Sequence, residues 1–166
     1  MKSLVWLRND LRMDDNPALR HACANSDEVH CIYIFSNQQL KIHNEANCKI
    51  EFVIKNLKSL GDDLKKINIP LTIIRSDKFN DNTNKILDIV KERSISNVYW
   101  NNMFGEDENN RDKKVRIILK DHNIFCETCR RVEAHSRRWG GNPCKMALLL
   151  FSGETRWSLH NAAASA

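Results

Sequence analysis

Glycine is nearly missing from most of this chain: residues 1–126 hold two, Gly61 and Gly105, far apart. Neither a G-x-G-x-x-G turn nor a P-loop can be written there, so phosphate groups have no glycine cradle. A parallel sheet in this chain therefore does not signal an NAD or ATP site. Long apolar runs are missing too, none approaching the roughly 20 residues that cross a bilayer, and no membrane partner is expected. No repeat or low-complexity tract appears. The chain enters a strand carrying Arg8 and Asp10 where a secretory leader would have its apolar stretch, so no signal peptide is expected. The six cysteines are scattered, which fits free thiols in a reducing compartment and a cytoplasmic protein.

What is present suits one domain with a real core, since the chain has 166 residues. Its charge is uneven. Residues 1–126 carry 20 Lys+Arg against 18 Asp+Glu, whereas residues 127–166 carry 6 against 3. That basic tail reads as a solvated segment; contact with nucleic-acid phosphates is the alternative.

Strand and helix signals alternate up to Cys126. Leu4 to Leu7 is a short buried strand, and Asn16 with Pro17 supplies an N-cap and a first helical residue. Glu28 to Phe35 reads as a second strand. Phe52, Val53, Leu57, Leu60 and Leu64 recur at helical spacing within Cys48 to Ile67. Leu71 to Ile74, Val98 to Trp100 and Ile124 to Cys126 read as further strands. Helices marked by Ile86, Leu87, Ile89 and Val90, and by Val115, Ile117, Ile118 and Leu119, alternate with them. Such alternation predicts right-handed crossovers and a doubly wound, Rossmann-like five-stranded parallel sheet with helices on both faces. The domain is expected over residues 1–126, followed by an irregular tail over 127–166. Ligands of such sheets sit beyond the strands' carboxyl ends, at the switch point. Arg8, Asp10 and Arg12 crowd one such end, and Asn101 another.

Two segments carry a family resemblance. The first is Ser3-Leu-Val-Trp-Leu-Arg-Asn-Asp-Leu-Arg-Met-Asp-Asp-Asn-Pro-Ala-Leu19. The second is Tyr99-Trp-Asn-Asn-Met-Phe-Gly-Glu-Asp-Glu-Asn-Asn-Arg-Asp112. They resemble the DNA photolyase/cryptochrome family, whose members open on Val-Trp-Phe-Arg-x-Asp-Leu-Arg-x-x-Asp-Asn-Pro-Ala-Leu and later carry Trp-Asn-x-x-Tyr-x-x-x-Glu-x-x-Arg-Asp. Phe104 takes the place of that second aromatic. The likeness runs from Ser3 to about Cys126.

The resemblance implies an antenna-binding domain of a deoxyribodipyrimidine photolyase, with methenyltetrahydrofolate or a deazaflavin as the chromophore. In folate-using members the glutamate matching Glu108 accepts hydrogen bonds from the pterin ring edge, a task suited to two carboxylate oxygens. Asp107 stands where many of them carry asparagine. His43 and Asn44 match a histidine–asparagine pair ahead of the long second helix, and Asn101 and Arg8 complete the expected cofactor-binding set. Arg8, Asp10 and Arg12 also read as a paired scaffold that locks the strand-end loop. FAD, DNA contact and dimer splitting belong in the family to a large helical domain, which these 166 residues cannot enclose. The chain is therefore expected to be inactive alone.

Cys126-Glu-Thr-Cys129 has C-x-x-C spacing, but a zinc ribbon needs a second pair, and Cys144 with His135 is irregularly placed. A redox pair belongs at the start of a helix. No metal is expected. Gly141-Asn-Pro-Cys-Lys-Met146 resembles the family's Gly-x-Pro-Tyr-Lys-Val, after which Ala147 to Thr155 departs from it, a pattern that a frameshift near Met146 would produce. The alternative reading is a stand-alone nucleotide- or small-molecule-binding α/β module using the same crevice.

Overall fold

The computed structural model describes residues 1–36, 46–76 and 81–130. The five strands are β1 (Lys2–Leu7), β2 (Glu28–Ser36), β3 (Leu71–Ser76), β4 (Asn97–Asn101) and β5 (Phe125–Cys129). They form one parallel sheet in the order β3-β2-β1-β4-β5. The four helices are α1 (Pro17–Asn25), α2 (Asn47–Lys66), α3 (Asn82–Glu92) and α4 (Glu106–Asp121). This is the doubly wound architecture that the sequence leads one to expect. Among the described residues no helix is long and apolar enough to cross a membrane.

The central strand explains the uninterrupted apolar run. Leu4, Val5, Trp6 and Leu7 are each at most 2% exposed, because β1 is covered on both faces. Val5 and Leu7 pack with Ala18, Leu19 and Ala22 of α1 and with Leu60 and Leu64 of α2. Leu4 and Trp6 point the other way, into Ile86 and Val90 of α3 and Val115 and Leu119 of α4. The helical stripe of α2 is only partly used: Leu57, Leu60 and Leu64 are buried, while Phe52 is 64% exposed. The chain winds outward from β1 to β3, then crosses to β4 on the opposite side of β1. The switch point therefore lies between the carboxyl ends of β1 and β4.

Three helices stop in one and the same way, which accounts for the scarcity of glycine. After the C-caps Ile67, Arg93 and His122 come Asn68, Ser94 and Asn123, with φ of 59°, 53° and 57°. This left-handed position is usually given to glycine. The next residue's N–H closes back on the helix: Ile69 to the Leu64 carbonyl, Ile95 to Val90 and Ile124 to Leu119, at 3.0, 2.9 and 2.9 Å. Each pair is apolar on both sides, so every Schellman turn also delivers an isoleucine to, or just before, the next strand.

Candidate functional site

The first compact unit comprises Met1–Arg131, and its loops at the switch point are tied together by one asparagine. Asn101, the last residue of β4, accepts the Ala18 N–H at 3.0 Å through its side-chain oxygen. Its amide nitrogen donates to Asn16 Oδ1 at 2.8 Å and to the Asp10 carboxylate. Asn16 in turn caps α1 by accepting the Leu19 N–H at 3.2 Å, with Pro17 as the first helical residue. The other Asp10 oxygen accepts the Arg8 N–H at 2.8 Å. The β1–α1 connection is thus pinned to the end of β4 by neutral and charged hydrogen bonds.

Beneath this loop lies a buried charge cluster. Arg8 Nη1 donates to both oxygens of Asp112, at 2.7 and 2.9 Å, and Nη2 donates to the Asn101 carbonyl. Arg111 donates to the same carboxylate through Nε and Nη2, at 3.2 and 3.0 Å. Trp100 Nε1 adds a donor at 3.1 Å. Both guanidinium groups lie over the Trp6 ring, at 4.9 and 4.7 Å, and Trp6 meets Trp100 edge-on at 6.2 Å. Burial first, and the Arg8 charge second, lower the Arg111 pKa from its ordinary value, against the opposing pull of Asp112. Arg8 and Arg111 share one carboxylate; the arrangement is a framework.

Above that floor opens a cleft of about 590 Å³, within the usual size range of small-molecule sites. Asn9, Asp10 and Arg12 line it from the β1–α1 connection. Asn102, Met103 and Phe104 line it from the β4–α4 connection, with Arg130 from just past β5. Phe104 is 93% exposed. An uncovered aromatic ring in a cleft that two exposed arginines also line suits a flat conjugated ligand with an acidic group.

The expected site residues separate in this geometry. Asn101 lines the cleft, but its amide is spent on the loop. Arg8 is buried below, where the scaffold reading put it, with Asp112 as its carboxylate partner. Asp107 and Glu108 sit in the first turn of α4, which begins at Glu106. Neither is among the residues lining the cleft. Glu108 is half-buried and folds back over Gly105: a Cβ there would stand 1.8 Å from its carboxylate. Three acidic residues in this turn also complement the helix dipole. His43 and Asn44 lie outside the described residues. Arg130 was not singled out from sequence, although it directly follows a strand's carboxyl end. Cys126 and Cys129, an odd number of residues apart, face opposite sides of β5 and pack in different core clusters. Burial raises the pKa of both thiols, Cys129 to about 12.

Comparison with known proteins gives one consistent picture. A family model described as DNA photolyase matches residues 3–135. The deoxyribodipyrimidine photo-lyase of Buchnera aphidicola is 34% identical over 119 residues, 71% of this chain and 25% of that protein. That of Escherichia coli is 33% identical over 125 residues, 75% of this chain and 26% of that protein. The archaeal photolyase of Sulfolobus tokodaii, solved with two FAD molecules, matches in fold with a TM-score of 0.67. It covers 78% of this chain and 29% of its own at 24% identity. The chain spans about a quarter of the length of the curated relatives it matches.

Proposed function

This chain belongs to the DNA photolyase family, and on that footing we propose that residues 1–130 bind the light-harvesting chromophore of a deoxyribodipyrimidine photolyase. The observation that carries the reading is the cleft at the β1/β4 switch point, lined by an uncovered Phe104 together with Arg12 and Arg130. The side chains fit a folate: the ring stacks on Phe104, and the two arginines take the acidic tail. The cleft lining does not include Glu108 or Asp107; it is the family resemblance that assigns Glu108, with Asp107, to the pterin edge and adds His43 and Asn44. When bound, such a chromophore absorbs near-ultraviolet light and passes the excitation to a flavin. The Sulfolobus tokodaii photolyase, for which a novel light-harvesting cofactor is described, has the same fold.

The protein's own residues hold and orient. Asn101 fixes the loop that carries Asp10 and Arg12, and the Arg8–Asp112 pair makes the floor beneath it rigid. Flavin-dependent splitting of pyrimidine dimers in DNA is assigned to a protein of the relatives' full length. The test is a titration with methenyltetrahydrofolate followed by absorbance, with adenosine monophosphate as the control. Saturable folate binding that weakens about tenfold in Arg12→Ala and Phe104→Ala supports the reading. Preference for the nucleotide would instead make this a nucleotide-binding module. Light-dependent loss of dimers from irradiated DNA, with only this chain and FAD added, would contradict the assignment of repair.

A further inference from the structure

A second group of chemically able side chains lies away from the cleft, where α1 packs on β5. Glu127 and Cys129 are two residues apart on β5 and so share a face, and His21 of α1 covers that face. One ring nitrogen of His21, a Glu127 oxygen and the Cys129 sulfur all lie within 4.8 Å of one another, and His21 Nδ1 and Glu127 Oε1 are 3.4 Å apart. Zinc bound at its usual nitrogen and oxygen distances holds two tetrahedral ligands about 3.4 Å apart, so this pair already has the required spacing. The sulfur needs to approach by about 1 Å at most.

We propose that His21, Glu127 and Cys129 form a three-ligand site for a divalent ion of the zinc class, with the fourth position open to water.

The donor set is specific in its chemistry. Nitrogen, carboxylate and thiolate together suit a borderline-soft tetrahedral ion and poorly suit magnesium or calcium, which take oxygen. Glu127 and a Cys129 thiolate carry two negative charges, which balance the ion. Burial, then the Glu127 charge, disfavour the Cys129 thiolate in the absence of an ion, and the Arg20 charge opposes them. Tyr99, opposite Glu127 in the β4–β5 register, is the other titratable neighbour. As the metal–sulfur bond forms, the thiol proton leaves to water. The histidine and glutamate side chains are 32% and 39% exposed, so an ion has a path in from solvent. The sulfur end is closed, with Cys129 4% exposed. C-x-x-C spacing plays no part, because Cys126 lies on the other face of the strand.

Titrating the full chain with cobalt(II), then displacing it with zinc, reads the site directly. The expected result is one ion per chain, with an intense tetrahedral visible band and a thiolate-to-cobalt band in the near ultraviolet. His21→Ala and Glu127→Gln, both at half-exposed positions, should weaken binding at least tenfold while leaving the circular dichroism unchanged. Cys129→Ser should abolish the near-ultraviolet band. A wild-type spectrum with no thiolate band overturns the proposal. So does wild-type affinity retained in His21→Ala, which would place the ion on other histidines or cysteines of the chain.

Discussion

Arg8 and Asp112, 104 positions apart in sequence, form a doubly hydrogen-bonded ion pair that joins the end of the central strand to α4. The pair is less than a tenth exposed on both sides. It supports Asn101 from below, through the hydrogen bond from Arg8 to the Asn101 carbonyl.

Replacing Asp112 by asparagine leaves Arg8 and Arg111 buried without their shared countercharge, and sets an amide N–H against guanidinium donors. The expected cost is about 3–5 kcal/mol, the usual penalty for breaking a buried pair from one side. That is a large part of the whole stability of a domain this size. Urea unfolding measures it. A loss below about 1 kcal/mol would show that water reaches the cluster.

Ser94→Gly is expected to stabilise the protein. Ser94 holds φ at 53° after α3, a conformation that costs an L-residue about 1–2 kcal/mol and glycine nothing sterically. The added flexibility of the unfolded chain takes back part of this, leaving a gain of about 0.5–1 kcal/mol. Asn68→Gly and Asn123→Gly should gain less, because asparagine tolerates the left-handed region. Thermal unfolding of the three variants ranks them, and equal or negative shifts for Ser94→Gly would contradict the turn assignment.

His30 gives the fold a pH dependence of known sign. Its Nδ1 is 3.1 Å from Arg93 Nη1 and accepts that hydrogen bond. Burial, then the Arg93 charge, hold its pKa below 6.5. As pH falls through about 6.5 the unfolded chain takes up the proton first, so the folded state loses stability until its own lower pKa is passed. Above about 6.5 both states are neutral here and the effect vanishes. Unfolding midpoints of wild type and His30→Asn, compared from about pH 7 down to about pH 5, should converge as the pH falls. Parallel curves would contradict this.

The sheet and its two layers could be read from the sequence because β1 is apolar on both faces and Asn16-Pro17 is an unambiguous helix start. The start of α4 could not. Glu106 to Asn110 contains no apolar residue to show a period, and Gly105 in the N-cap has no side chain to mark it. β5 continues to Cys129, past the apolar Ile124-Phe125-Cys126 signal, because the ladder with β4 runs on through Glu127 and Thr128. The Schellman turns were hidden by asparagine and serine standing where glycine is the usual marker. In the site, the charges of Arg8 and Asp10 were legible as a scaffold, but Arg12 is exposed in the cleft and the carboxylate partner of Arg8 lies 104 residues away. His21 is illegible in the sequence for a similar reason: its neighbours Glu127 and Cys129 come from the far end of the unit.

The central claim is that a chromophore occupies the cleft between the ends of β1 and β4. Amide chemical-shift mapping during addition of methenyltetrahydrofolate tests it most directly. The predicted shifts cluster on Asn9 to Arg12, Asn102 to Phe104 and Arg130, and saturate together. Shifts confined to another surface, or none at saturating ligand, would contradict it.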